Sequence, residues 1–297
     1  MNINDVIGLY DSNIPIREIS RRLKLDRSII RKILLKSGIK IRDSRSSLIS
    51  MGYIKEKNKF VLQEQERAYL FGLVMGDLTP VKRSNYTLKL ITHTTHKKFI
   101  DLLQKSFEIY GHTSSVINKR NEFRFSAYLD LESFSFLLET RKDNIPEWIF
   151  YKDNFLYFLA GFIDSDGSII LRKSGKYFQY VIRFFSQNLN LLLKIKDKLE
   201  NLGYRLSIHK SHSKGTISYY KGIKFIYNKD YYTLEIYRKE ETLDLLSKIP
   251  IRHQEKIAKR EFIFSVESQK FIYWKSVEEK TKELKSLIKQ SVIQRIY

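Results

Sequence analysis

Apolar residues recur at helical spacing in three short stretches near the start of the chain. Residues 3–10 are predicted to form a first helix, and residues 16–23 and 29–34 place their apolar side chains on one face of two further helices. Asp26 is a good N-cap for the third helix, and Gly38 is a good C-terminal stop. The spacing therefore predicts a small three-helix unit.

The side of the predicted third helix that faces away from its apolar stripe is basic. It carries Arg27, Arg31 and Lys32, and residues 1–50 hold 11 Lys and Arg against 5 Asp and Glu. The arrangement resembles the helix-turn-helix units of resolvases and similar proteins, whose second motif helix enters the major groove. We expect these three side chains to contact DNA; the alternative is a packing module with a solvated basic face. The polar stretch 42–47 is predicted to be a linker or an arm that follows the DNA backbone.

The rest of the chain repeats one order of elements. Each copy opens with an apolar helix that ends in an acid and continues as strand pairs and amphipathic helices, so that both copies have the pattern αββαββα. Both copies close with Ile-Pro. From Asp77 to Pro146 is 69 residues, and from Asp166 to Pro250 is 84, which predicts a longer hairpin in the second copy. Short loops within the pairs favour antiparallel strands.

These patterns predict an α+β fold class with three parts. A helix-turn-helix domain occupies residues 1–50, with a linker to about residue 60. The first αββαββα subdomain covers 61–150 and the second covers 151–297, including a helical tail. The two subdomains are expected to be related by pseudo-symmetry.

Small residues recur four apart in the two helices that open the copies. Gly72 and Gly76 fall on one face of the first helix, and Gly161 and Ser165 take the matching positions in the second. Small residues at this spacing allow two helix backbones to approach closely. The two helices are therefore predicted to pack side by side along a pseudo-twofold axis.

Each of these helices ends in a carboxylate, Asp77 or Asp166. An acid at a helix C-terminus lies at the negative end of the helix dipole, and two such acids would repel each other if the helices pack in register. Divalent cations would relieve both penalties, and oxygen ligands with open water positions suit Mg²⁺. Metals that bridge a phosphate are a common means of phosphodiester hydrolysis. The alternative is that Asp166 and Gly167 simply end a helix and begin a turn.

Charge narrows the class of partner. The 297 residues include 54 Lys and Arg against 33 Asp and Glu, a net charge of +21, which favours a polyanion. No predicted helix joins a basic face to a long apolar face, and no apolar stretch reaches the about 20 residues of a membrane span. The absence of cysteine excludes disulfides, thiolate zinc sites and a cysteine nucleophile. Nucleic acid is the expected partner of a soluble protein inside a prokaryotic cell or an organelle.

The helix ends also carry a recognisable motif. Residues 159–167, LAGFIDSDG, are a near-complete match to the LAGLIDADG motif of homing endonucleases, and residues 70–78, LFGLVMGDL, are a weaker second copy. The chain resembles a monomeric, two-motif member of that family over about residues 67–262. The resemblance implies a saddle of two antiparallel sheets along double-stranded DNA. It also implies two or three Mg²⁺ ions, replaceable by Mn²⁺, held by Asp77 and Asp166, and a double-strand break at a long asymmetric site.

The first copy departs from the motif at two positions. It has Met75 where the second copy has Asp164, and Leu78 where the second has Gly167. Neither change removes a candidate metal ligand, so the resemblance implies an active enzyme. The second change is expected to affect how the carboxylate of Asp77 is placed.

The resemblance implies further site residues. A polar residue at a strand end and a basic residue near the last helix of the domain order water in this family, and Gln187 and Arg252 match these roles. Strand residues are expected to alternate towards the DNA groove. The candidates for groove contacts are Lys89, Arg124, Arg172, Gln179, Arg183 and His209.

Three functions compete at this point. The first is a site-specific, metal-dependent DNA endonuclease. The second is a maturase that holds intron RNA on the same saddle, and the third is a non-catalytic regulator in which the helix-turn-helix is primary. Retention of both Asp77 and Asp166 argues against the third, because a scaffold needs no paired carboxylates.

Overall fold

A computed structural model describes residues 3–51, 59–140, 145–151, 153–220, 223–290 and 292. The chain divides into two units, Met1–Asn58 and Lys59–Tyr297. Among the described helices, none is long and apolar enough to cross a membrane.

The first unit is helical, as the apolar spacing predicts. Its helices are α1 (Ile3–Asp11), α2 (Ile16–Leu23), α3 (Arg27–Lys36) and α4 (Ser44–Ser50). One side chain cluster of α1, α2 and α3 forms the core: Val6, Tyr10, Ile19, Ile30 and Leu34. Asp26 is the N-cap of α3, since its carboxylate accepts a hydrogen bond from the backbone N–H of Ser28 at 2.7 Å. The predicted cap is confirmed.

The prediction of a linker over residues 42–47 is wrong for most of that stretch. Asp43 accepts a hydrogen bond from the N–H of Ser46 at 2.6 Å and so caps α4. Arg42 donates to the backbone oxygen of Tyr10 at 2.7 Å and lies over the ring of Tyr10. These contacts attach the stretch to the helical core, where a linker would stay solvated.

The second unit contains both repeats. The first repeat consists of α5 (Glu64–Asp77), β1 (Thr79–Ser84), β2 (Thr87–Thr94), α6 (Lys97–Phe107), β3 (His112–Ile117), β4 (Phe123–Asp130) and α7 (Leu131–Phe134), followed by 3₁₀ turns at Ser135–Glu139 and Glu147–Phe150. The second consists of α8 (Asn154–Asp166), β5 (Gly167–Ser174), β6 (Tyr177–Ser186), α9 (Leu189–Asn201), β7 (Ser207–His212), β8 (Ile217–Tyr220), β9 (Ile223–Ile226), β10 (Tyr231–Ile236) and α10 (Lys239–Lys248). Two helices complete the unit, α11 (Gln254–Ser268) and α12 (Lys275–Gln290).

The strand order repeats between the copies. The sheets run β1-β2-β4-β3 and β5-β6-β10-β7, and every pair is antiparallel. The extra hairpin of the second copy is β8 and β9, between β7 and β10, as the length difference predicts. The α+β fold class with two related subdomains is confirmed.

Helices α5 and α8 lie at the centre of this unit. Both are apolar on all sides, and every residue of α5 from Ala68 to Gly76 is buried. A helix without a polar face has to be covered all round, and here each motif helix packs on the other and on its own repeat. The central position of these helices brings their C-terminal acids to the junction of the two repeats.

Candidate functional site

The junction of the motif helices is a contact between backbones. A Cβ added to Gly72 would lie 2.1 Å from the backbone oxygen of Phe158, and one added to Gly161 would lie 2.0 Å from that of Tyr69. The two contacts are reciprocal across the junction, so the backbones pass each other without room for a methyl group. The close packing predicted from the spacing of small residues is confirmed.

The same closeness continues to the ends of the helices. A Cβ on Gly76 would meet the Oγ of Ser165 at 1.9 Å and the backbone N of Asp166 at 3.2 Å. Ser165 itself turns inward and donates to the backbone oxygen of Gly161 at 3.1 Å. The last turns of α5 and α8 are therefore level, and Asp77 and Asp166 face one cavity of about 500 Å³.

Oxygen-bearing side chains dominate the polar lining of that cavity. Besides the two carboxylates, the end of β6 and the turn into α9 contribute Ser186, Gln187 and Asn188. The amide of Gln187 donates to the hydroxyl of Tyr231, which also lines the cavity. Sequence reasoning placed Gln187 at this site, and the structure brings it there.

A lysine that sequence reasoning missed lies beneath the carboxylates. Lys256, in the first turn of α11, is 8% exposed. Its Nζ donates to the backbone oxygens of Ile163 and Ser165, the latter at 3.2 Å. These carbonyls belong to the last turn of α8, where a cation offsets the negative end of the helix dipole. Lys256 thereby stabilises the helix end that carries Asp166.

Burial dominates the titration of Lys256. It lowers the pKa of this lysine to about 8, although the carboxylates of Asp164, Asp77 and Asp166 favour the charged form and so raise the pKa. The acids of both repeats thus act on one buried ammonium group.

Replacing Lys256 with Met should change how stability depends on pH. The native pKa of about 8 lies below the ordinary value of 10.5, so the unfolded chain binds more protons between these two pH values. The free energy of unfolding of the natural chain should therefore rise with pH across this window, by about 3 kcal/mol in total, relative to Lys256→Met. Urea titrations of both proteins from pH 7 to 10.5 measure this difference. If the free energies of unfolding of the two proteins changed with pH in the same way, the lowered pKa of Lys256 would be contradicted.

Asp164 occupies the motif position where the first copy has Met75. Its carboxylate is 1% exposed and accepts hydrogen bonds from the hydroxyl of Tyr69 and the N–H of Arg252, both at 2.8 Å. Burial raises the pKa of Asp164. The hydrogen bonds of Asp164 thus connect α8 to α5 and to the segment before α11. The matching residue of the first copy, Met75, is instead packed in the hydrophobic core, so the two copies differ at this motif position because the two side chains have different structural roles.

Arg252 is not brought to the carboxylate cavity. Its guanidinium makes two hydrogen bonds to Glu66, at 3.1 and 2.7 Å, and lies 3.8 Å from the ring centre of Tyr69. It lines a separate cavity of about 890 Å³. Lys256, one turn further along the chain, instead contacts the last turn of α8, and a catalytic role for Arg252 stays a prediction.

Three of the predicted groove residues form a cluster on the second sheet. Arg172, Gln179 and Arg183 lie on the face opposite the core. Glu235 on β10 accepts hydrogen bonds from both arginines, and Gln179 accepts one from Arg172. His209 is exposed on β7 and pairs in register with Thr233 of β10. Sequence reasoning did not identify Glu235.

The first sheet places Lys89 and Arg124 differently. Lys89 on β2 lies over the ring of Tyr128 at 5.0 Å, and Arg124 on β4 is exposed opposite His93. On α3 of the first unit, Arg27, Arg31 and Lys32 are exposed. Contact of these side chains with DNA stays a prediction.

A comparison with known protein families identifies a domain in the second repeat. Residues 153–250 match the family model of the LAGLIDADG-like domain. These residues include α8 and the whole second sheet, and the first copy repeats their order of elements. The second repeat therefore contains a LAGLIDADG-like domain.

Two relatives come from Methanocaldococcus jannaschii. The uncharacterized protein MJ0314 is 29% identical over 188 residues, 61% of this chain and 69% of the relative. The uncharacterized protein MJ0398 is 27% identical over 254 residues, 83% of this chain and 87% of the relative.

Two solved structures have similar chains. The homing endonuclease I-DmoI, in complex with DNA and Mn, is 19% identical with a TM-score of 0.40, covering 64% of this chain and 98% of its own. Full-length DUF199/WhiA from Thermatoga maritima is 16% identical with a TM-score of 0.44, covering 70% of this chain and 62% of its own.

Proposed function

We propose that this chain is a divalent-metal-dependent endonuclease that cuts both strands of a long, asymmetric site in double-stranded DNA. The observation that carries the proposal is the cavity at the helix junction, which carboxylates of both repeats line together. Two acids from pseudo-symmetric repeats suit a substrate with two antiparallel strands, since each acid can serve one scissile phosphate.

The donor set fits Mg²⁺. Asp77 and Asp166 supply carboxylates, and Ser186, Gln187 and Asn188 supply further oxygen groups around them. Among the described residues, no group of three or more His, Cys, Asp and Glu side chains could hold a metal ion by itself. Two carboxylates leave coordination positions for water and phosphate oxygens, as Mg²⁺ prefers. Bound there, the ion supplies Lewis-acid activation of water and stabilises charge on the phosphate.

The protein side chains have distinct tasks in this proposal. Asp77 and Asp166 are the residues that would hold the metal, one from each motif helix. Gln187, held by Tyr231, orients water at the edge of the cavity. Lys256 keeps the last turn of α8 in place, and its positive charge offsets the negative charge that gathers where the acids meet.

The polar sheet faces complete the proposed DNA surface. The chain has a net charge of +21. The basic strand residues whose side chains point away from the core are Lys89, Arg124, Arg172, Arg183 and His209. Basic side chains of this kind bind phosphates, and arginine forks also read base edges. The first unit adds Arg27, Arg31 and Lys32, which we propose contact DNA that flanks the cut.

Cleavage of a randomised library tests the proposal. Long duplexes are incubated with the full chain and Mg²⁺, a matched sample contains a chelator, and the cut ends are sequenced. We expect ends from one related set of sites, cut in both strands, only where Mg²⁺ is present. Enrichment of bound duplexes without any cutting would indicate a non-catalytic regulator, and enrichment of structured RNA alone would indicate a maturase.

A further inference from the structure

A buried carboxylate organises the polar face of the second sheet. Glu235 on β10 is 5% exposed, although this face of the sheet carries charged residues. Its Oε1 accepts from the Nε of Arg183 at 2.6 Å, and its Oε2 accepts from the Nη1 of Arg172 at 3.2 Å. One acid thus holds two arginines from neighbouring strands, and charged groups in this setting make strong, directed hydrogen bonds.

Arg183 is fixed on two sides. On one side, the carboxylate of Glu235 contacts the Nε and Nη2 of the Arg183 guanidinium. On the other, the ring centre of Phe185 lies 5.6 Å from the central carbon of the guanidinium. The end edge, formed by the two terminal nitrogens, has N–H groups beyond those that Glu235 uses. An arginine fork held in one orientation loses little conformational freedom when it binds a base. Guanine, with its O6 and N7 acceptors, is the base that matches such a fork.

The same network fixes which end of the Gln179 side-chain amide points towards Arg172. Its amide oxygen accepts from the Nη2 of Arg172 at 3.1 Å, so its NH₂ group is the end turned away from that arginine. A glutamine that presents only donors cannot make the two-way contact with adenine, which needs a donor and an acceptor together. Acceptor-rich base edges therefore suit this group as well.

The network belongs to the second sheet alone among the described parts of the two sheets. Thr79 and Ser168 each lie two residues after the motif acid of their repeat and pair with Ile91 and Arg183, respectively. The registers of the next strands then make Ser126 the counterpart of Glu235. Neither counterpart carries a charge. The two sheets therefore present different side chains to the two halves of the DNA site.

The position of Arg183 along β6 relates it to the carboxylate cavity. Phe185, two residues further along the strand, lines that cavity together with Asp77 and Asp166. Two strand residues span about 7 Å. The base that Arg183 meets therefore lies about two base pairs from the scissile phosphate, given a rise of about 3.4 Å per base pair.

We propose that Glu235 is a positioning residue that presents Arg183, with Arg172 and Gln179, as the reader of guanine near the cut in the second half of the DNA site. The inference rests on the proposed function, and it assigns to this sheet a base preference that the corresponding positions of the first sheet, Ile91 and Ser126, cannot supply. Glu235 makes no contact with DNA itself; it acts through the two arginines.

Selection from randomised duplexes tests this role in three variants. Arg183→Lys keeps the charge and loses the fork, so the guanine preference should fall about fivefold or more while affinity for random duplex stays within about twofold. Glu235→Gln should lose the same preference, bind random duplex more tightly and show a steeper salt dependence, because it removes a negative charge. Ser126→Ala, the matched change in the first sheet, should leave the guanine preference in the second half of the site unchanged.

The outcomes separate the inference from the function on which it rests. An unchanged guanine preference in Glu235→Gln, or an equal loss at every position of the site, would overturn the positioning role while leaving the endonuclease proposal intact. If Glu235→Gln fails to fold, as circular dichroism would show, Arg183→Lys still decides whether this fork reads guanine. A natural chain that enriches no duplex would overturn both proposals.

Discussion

Asp77→Asn and Asp166→Asn should each abolish the double-strand break while DNA binding remains. Each substitution removes a charged oxygen ligand from the cavity that both helices line, so we expect cleavage to fall at least about 100-fold. Binding should stay equal or become tighter, because a negative charge near the phosphates is lost. Gel assays of a selected duplex in Mg²⁺ measure both quantities on one preparation.

Asp101→Asn is the matched control for these variants. Its carboxylate is exposed on α6, pairs with Lys97 at 2.6 Å and lines the separate cavity. This control should cut at the natural rate. Full cleavage by either Asp77→Asn or Asp166→Asn would show that its carboxylate takes no part in catalysis.

Gly72→Ala and Gly161→Ala should destabilise the second unit strongly. The added methyl group would meet a backbone oxygen at 2.1 or 2.0 Å, and a backbone within a buried helix pair cannot move aside as a flexible side chain can. We expect each substitution to lower the free energy of unfolding by at least about 2 kcal/mol, as severe overpacking does. Denaturant titrations followed by circular dichroism measure the loss.

Gly8→Ala separates packing from helix propensity. Gly8 lies within α1, and a Cβ there would meet nothing within 4 Å. Alanine in place of glycine should stabilise that helix by about 0.5 to 1 kcal/mol. Equal effects at Gly8 and Gly72 would contradict the close helix junction.

The fold was largely predictable because its signals are local and repeated. Alternating strands, amphipathic helices and the cap at Asp26 each follow from short-range spacing, and the second copy repeats the first. The helix junction was predictable for a related reason, since Gly72 and Gly161 hold matching places in two similar helices. The stretch after Arg42 was misinterpreted because Ser-rich sequence favours loops until Asp43 supplies a cap.

The rest of the site depended on contacts between distant residues. Lys256 shares the buried side of α11 with Ile263 and Val266, and a lysine within an apolar stripe was the available signal. The sequence around Arg252 fits the role of a basic residue near the last helix equally well, and only the pairing of Arg252 with Glu66 separates it from Lys256. Glu235 could not be found from spacing, because its partners lie on other strands.

A pair of cysteines in place of Asp77 and Asp166 tests whether these two acids form one site for a divalent ion. The natural chain has no cysteine, so Asp77→Cys and Asp166→Cys place the only two thiols at this cavity. Thiolates bind soft ions such as Cd²⁺. If the two positions share one site, the double variant binds Cd²⁺ far more tightly than either single variant, and the ion protects both thiols from alkylation. Two thiols that react independently, with no gain in affinity over the single variants, would contradict a shared site.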